Sequence, residues 1–126
     1  MGMYTEFHFN TELKTDTTPE VLDVLRFMVG DVEEEPPTPD APLFSTDRWR
    51  HMLRMDSYYF SADTHSTLRH DHQGGWYLCI RCTLKNYCGE IEKFVEWIRP
   101  YLDKLPGEFL GFYRYEESET PTLVYM

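Results

Sequence analysis

Cysteine, positive charge and long apolar runs are all scarce in this sequence, and each shortage removes a class of protein. The three cysteines, Cys79, Cys82 and Cys88, are odd in number and have no framework spacing. That argues against a disulfide-stapled secreted domain and fits a reducing, cytoplasmic address. No apolar run approaches the roughly 18–20 residues a membrane helix needs. The opening MGMYTEFHFN has neither the basic head nor the apolar core of a signal peptide, and Glu6 stands where N-myristoylation asks for Ser or Thr. No membrane contact is expected.

Lysine and arginine together number 12 against 22 aspartates and glutamates, giving a net charge of −10. Phosphate backbones are gripped by clustered cations, so direct nucleic-acid binding is not expected of this surface. No GxSxG, P-loop or GxGxxG occurs. The expectation is a protein that binds rather than catalyses, with no cofactor.

Aromatic residues, by contrast, make up 16% of the 126 residues. Disordered chains are poor in them, so one packed domain is expected. The charge is also unevenly placed. Residues 43–85 hold six basic residues (Arg48, Arg50, Arg54, Arg69, Arg81, Lys85) and four acids, net +2, leaving −12 for the flanks. Four of the five histidines fall in the same stretch.

The periodicity predicts the elements. MYTEFHFNTEL alternates, with Phe7, Phe9 and Leu13 on one side, as a half-buried strand does. DTTPEVLDVLRFMVGD predicts a helix: Thr17 or Thr18 to cap it, Pro19 and Glu20 in the first turn, a stripe of Val21, Val24, Leu25 and Met28, and Gly30 as the stop. The acidic, proline-rich 31–42 is expected to be an exposed loop, because it can be neither an interior strand nor a helix. STDRWRHMLRM predicts a short helix and DSYYFSA a strand. THSTLRHDHQGG and GGWYLCIRCTLKN predict two more strands joined near Gly74 and Gly75. GEIEKFVEWIRPYLDKL carries Ile91, Phe94, Val95, Ile98, Tyr101, Leu102 and Leu105 on one helical stripe, kinked at Pro100. EFLGFYRYEE and PTLVYM predict the last two strands. The fold class expected is α+β: a mainly antiparallel sheet of five to six strands with two amphipathic helices on one face. The order contains β-α-β-β-α-β, the ferredoxin-like pattern, with additions.

Several groups of residues invite chemistry. His70 and His72, two apart on a strand, share a face, and with His65 or Asp63 as a third ligand they are the metal candidates; a hairpin rich in histidine is the plainer reading. Cys79 and Cys82 are spaced like a zinc or redox pair, but on a strand they face opposite sides, so Cys82 belongs to the core. Cys88 precedes the long helix, where a thiol pKa can fall, and a thiol or metal-dependent enzyme is the third functional reading. Arg48, Arg50, Arg54, Arg69 and Arg81, with His70 and His72, form a candidate patch for a small anionic ligand such as a nucleotide, with Trp49 or Tyr59 to stack on it. The competing reading is that these arginines pair with the protein's own carboxylates.

The acidic flanks and the ring-rich strands (Tyr58, Tyr59, Phe60; Phe112, Tyr113, Tyr115) favour a protein partner above a ligand. A small acidic domain of this kind suits an inhibitor or regulator that imitates nucleic acid, as phages and mobile elements encode. Rings in excess of one sheet face would also serve a homodimer.

Overall fold

The structure is a computed structural model that describes residues 3–60 and 63–126. Its centre is a five-stranded antiparallel sheet. The strands are β1 (Thr5–Leu13), β2 (Thr67–His70), β3 (Trp76–Leu84), β4 (Phe109–Tyr115) and β5 (Thr122–Tyr125), in the spatial order β2-β3-β1-β4-β5. Helix α1 (Pro19–Val29) follows β1, and α2 (Glu90–Ile98) follows β3. The alternation in β1 sets the two faces. Phe7, Phe9 and Leu13 are buried while Asn10 and Glu12 are exposed. Register aligns Phe7 with Cys82 and Phe9 with Ile80, so Leu78, Ile80, Cys82 and Leu84 continue the same buried face.

Both helices cover that face. Phe94 of α2 meets the rings of Phe7 and Phe9 edge-on, with centroids 6.1 and 6.0 Å apart. A second aromatic chain, Phe27–Trp49–Phe44–Trp97, runs from α1 to α2 with centroid separations of 5.6, 5.0 and 5.0 Å. Pro19 sits in the first turn of α1. At its other end Gly30 (φ +91°) turns left-handed, and the N–H groups of Gly30 and Asp31 donate to Phe27 and Arg26 carbonyls. The N–H of Ile91 in α2 donates to Asn86 Oδ1 at 2.8 Å.

Four expectations need correction. STDRWRHMLRM is not one helix: two single 3-10 turns, Pro42–Ser45 and Asp47–Arg50, are followed by further turns to Arg54. Leu43, Trp49, Met52 and Leu53 are all fully buried, and Trp49 and Phe44 pack these turns between Phe27 of α1 and Trp97 of α2. DSYYFSA is not a strand over Asp56–Phe60, which form a turn; Ser61 and Ala62 lie outside the described residues. The edge beside β3 is occupied instead by β2 and by Met55 and His65, whose backbones bond Thr83 and Arg81. Leu105 is 72% exposed, because α2 ends at Ile98 and passes through one 3-10 turn, Arg99–Tyr101, at Pro100. Thr18 occupies the N-cap of α1 without a side-chain bond there, while Thr17 Oγ1 donates to Lys14 O at 2.6 Å. Among the described residues no helix is long and apolar enough to cross a membrane.

Candidate functional site

The face of the sheet opposite the helices is where the chain places its polar strand residues. Register builds them into two adjacent rows: Thr83–Glu6–Arg114 and Arg81–His8–Phe112, each from β3, β1 and β4 in turn. Across the first row Arg114 Nη2 donates to Glu6 at 3.0 Å, and His8 Nε2 from the second row lies 3.2 Å from the other Glu6 oxygen. His8 stacks on Phe112 with centroids 4.6 Å apart. The turn at 56–60 carries Tyr59 and Phe60 over these rows, and Tyr59 Oη donates to the Glu116 carbonyl at 3.1 Å. Phe60 lies over the Arg114 guanidinium at 5.4 Å.

Between turn and sheet lies a cavity of about 260 Å³, lined by Glu6, His8, Tyr59, Phe60, Arg81, Cys82, Thr83 and Arg114. Two of its groups are left over. Thr83 is 2% exposed, yet its Oγ1 has no hydrogen-bond partner among the described residues. Arg81 donates Nε to the Asp63 carbonyl at 2.7 Å, and its two outer nitrogens have no partner among the described residues. A buried hydroxyl without a partner costs free energy, and native proteins leave few of them. A depression of about 220 Å³ beside Tyr87 and Ser118 lacks this feature. There Asn86 is engaged at both ends of its amide, and Tyr87 Oη accepts from the Met3 N–H.

The residues singled out from sequence are not gathered in one place. Arg48 lies on the helix side, with Nη1 3.6 Å from the wholly buried Glu90 carboxylate and its guanidinium over Tyr87. Arg50 donates through Nε to Glu35 at 2.6 Å, a bond that raises its pKa. Arg54 donates to the Arg50 carbonyl and packs beside Gly30. Arg69 and Arg81 are on the open face, but Arg69 pairs with Tyr77, away from the cavity. His70 stacks on Trp76 at 4.3 Å, on the opposite face. His72 corrects the strand reading: it lies in the hairpin turn, which Asp71 organises by accepting the Gln73 N–H at 2.6 Å. His65 runs along the edge of β3, its N–H donating to the Arg81 carbonyl. Among the described residues no three His, Cys, Asp or Glu side chains are grouped to hold a metal.

Of the patch proposed from sequence, then, Arg81 reaches the cavity, with Tyr59 as its aromatic neighbour. Glu6, His8, Thr83 and Arg114 were missed. Parity gives Glu6 and His8 the same side of β1, but which strands flank β1, and in what register, is a tertiary fact. Of the cysteines, Cys82 has its thiol pushed up by burial, Cys79 is half-buried and Cys88 exposed; all three are free. No family model, curated protein or solved structure matches this chain.

Proposed function

We propose that the protein is a non-catalytic binding module whose site is the uncovered face of its sheet, and that the cavity under Tyr59 and Phe60 takes a small anionic ligand. The observation that carries this is that the Thr83 hydroxyl and the outer nitrogens of Arg81, from two residues that line the same cavity, have no partner among the described residues. An anion bridging the two satisfies a buried donor and a guanidinium fork together. Arg81 belongs to the cationic stretch that interrupts an otherwise acidic chain. Its three free thiols suit a cytoplasmic address. The test is an amide-shift titration of the whole protein with acetate, benzoate and inorganic phosphate. Binding perturbs His8, Arg81 and Thr83, and Arg81→Gln weakens it by about tenfold or more. If no anion moves these resonances, the reading is lost.

A second reading, a protein partner, is favoured by a different observation. Phe109, Leu123 and Tyr125 are each about half exposed on the outer two strands, and the rings of Phe109 and Tyr125 pack on one another at 5.8 Å. β5 is an outer strand of the sheet and holds no charged residue. Such an edge admits an added strand from another chain, whether an unlike partner or a second copy. Because the molecule carries −10, an unlike partner is expected to be basic and its capture to weaken with salt. Leu123→Lys abolishes capture on this reading. Capture that is indifferent to both salt and Leu123→Lys counts against it.

A further inference from the structure

The class of ligand follows from the charge and shape of the cavity, an inference that rests on the anion-binding reading above. We propose that the occupant is a small planar aromatic monocarboxylate, its carboxylate on Arg81 and Thr83 and its ring against Tyr59 and Phe60.

Charge is the first argument. Arg114 gives one outer nitrogen to Glu6 at 3.0 Å and the other to the Ser118 carbonyl at 2.9 Å. Glu6 also faces His8 Nε2 at 3.2 Å. These groups answer one another, whereas among the described residues Arg81 meets only a neutral carbonyl, through Nε. One unit of positive charge is thus left for a ligand. A monoanion balances it. A phosphate dianion would bring a second negative charge into a wall that already holds Glu6, and like charges at close range repel.

Shape is the second. The outer nitrogens of a guanidinium form a planar fork that matches the two oxygens of a carboxylate. The Thr83 hydroxyl supplies one further donor from the sheet side. Above it, the rings of Tyr59 and Phe60 stand edge to face, centroids 5.1 Å apart and planes at 76°, so the cavity presents ring surface rather than aliphatic surface. Aromatic pairs in such arrangements gain beyond the area they bury. The volume of about 260 Å³ falls below the roughly 300–1,000 Å³ of drug-sized pockets, which suits a single ring with its carboxylate better than a nucleotide.

The experiment titrates the whole protein with benzoate, cyclohexanecarboxylate, acetate and inorganic phosphate, reading the amide shifts of Arg81 and Thr83. Benzoate is expected to bind at least about fivefold more tightly than each of the other three. Phe60→Leu, or Tyr59→Leu if that variant does not fold, brings benzoate down to the level of cyclohexanecarboxylate. Thr83→Val, close in shape, weakens every carboxylate by about threefold. Phosphate or cyclohexanecarboxylate binding as tightly as benzoate, or a benzoate affinity indifferent to the loss of the ring, overturns the ligand class and leaves the anion site standing. Silence from all four probes overturns the anion site and the class together.

Discussion

Glu90 is wholly buried at the start of α2, an expensive place for a carboxylate. One oxygen accepts the Cys88 N–H at 3.0 Å; the other lies 3.6 Å from Arg48 and makes no hydrogen bond among the described residues. Arg48, a residue whose charge suggested a ligand, serves here to compensate an internal acid. Removing one partner of a fully buried pair costs about 3–5 kcal/mol. Arg48 is 35% exposed, so Arg48→Ala is expected to lower stability by about 1–2 kcal/mol in urea unfolding. A second expectation concerns pH. Burial raises the Cys82 thiol above its ordinary 9.0, chiefly burial raises Tyr113 and Tyr115, and chiefly the Glu12 charge raises Tyr77, above the ordinary 10.0. The folded state therefore keeps protons that the unfolded chain releases, and stability falls as pH rises beyond about 9. Under reducing conditions, the urea midpoint drops between neutral pH and about pH 10.5; in Cys82→Ala the fall begins later, near the tyrosine range. A midpoint that is flat or rises over this interval contradicts the expectation.

The elements show where local pattern decides structure and where it yields. α1 was legible from Pro19, its apolar stripe and Gly30 because each acts within a few residues. Gly30 holds φ +91°, and a Cβ there would lie 2.9 Å from the Arg54 side chain. Gly30→Ala is expected to cost about 1–2 kcal/mol, mostly from the left-handed backbone, since a flexible arginine end can move. Gly111 is different. Its sequence context, EFLGFYRY, reads as an ordinary strand glycine, yet a Cβ there would collide with the backbone carbonyl of His8 on β1. Nothing flexible can give way, so Gly111→Ala should destabilise by about 3 kcal/mol or more, or yield insoluble protein. Thermal melts of the two variants rank them: Gly111→Ala as mild as Gly30→Ala would mean the β1–β4 contact is looser than the register implies. The turns at 42–54 and 56–60 escaped the sequence because their conformations answer to neighbours. The first fills the space between two helices, and the second is held over the open face by Tyr59 on Glu116.

At the scale of the molecule, one face of the sheet is closed by helices and the other is left to polar rows, a turn and the half-exposed outer strands. An exposed apolar edge without charge is a site for association. On the second functional reading, sedimentation at rising concentration shows either a dimer or, in the presence of a basic partner, a complex; Leu123→Lys gives a monomer in both settings without loss of thermal stability. The sequence by itself determined the fold class, the two helical stripes, the parity of β1 and β3 and the location of the cationic stretch, because these depend on periods of two and 3.6 residues and on charge counting. Only the tertiary structure decided that β1 lies between β3 and β4, which brings Glu6 and His8 between Thr83, Arg81 and Arg114. It alone sent Arg48, Arg50 and Arg54 to the opposite side. The reason is physical: strand neighbours and register are chosen by packing between segments up to 110 residues apart, as in Thr5 against Tyr115, and no local period encodes such a choice.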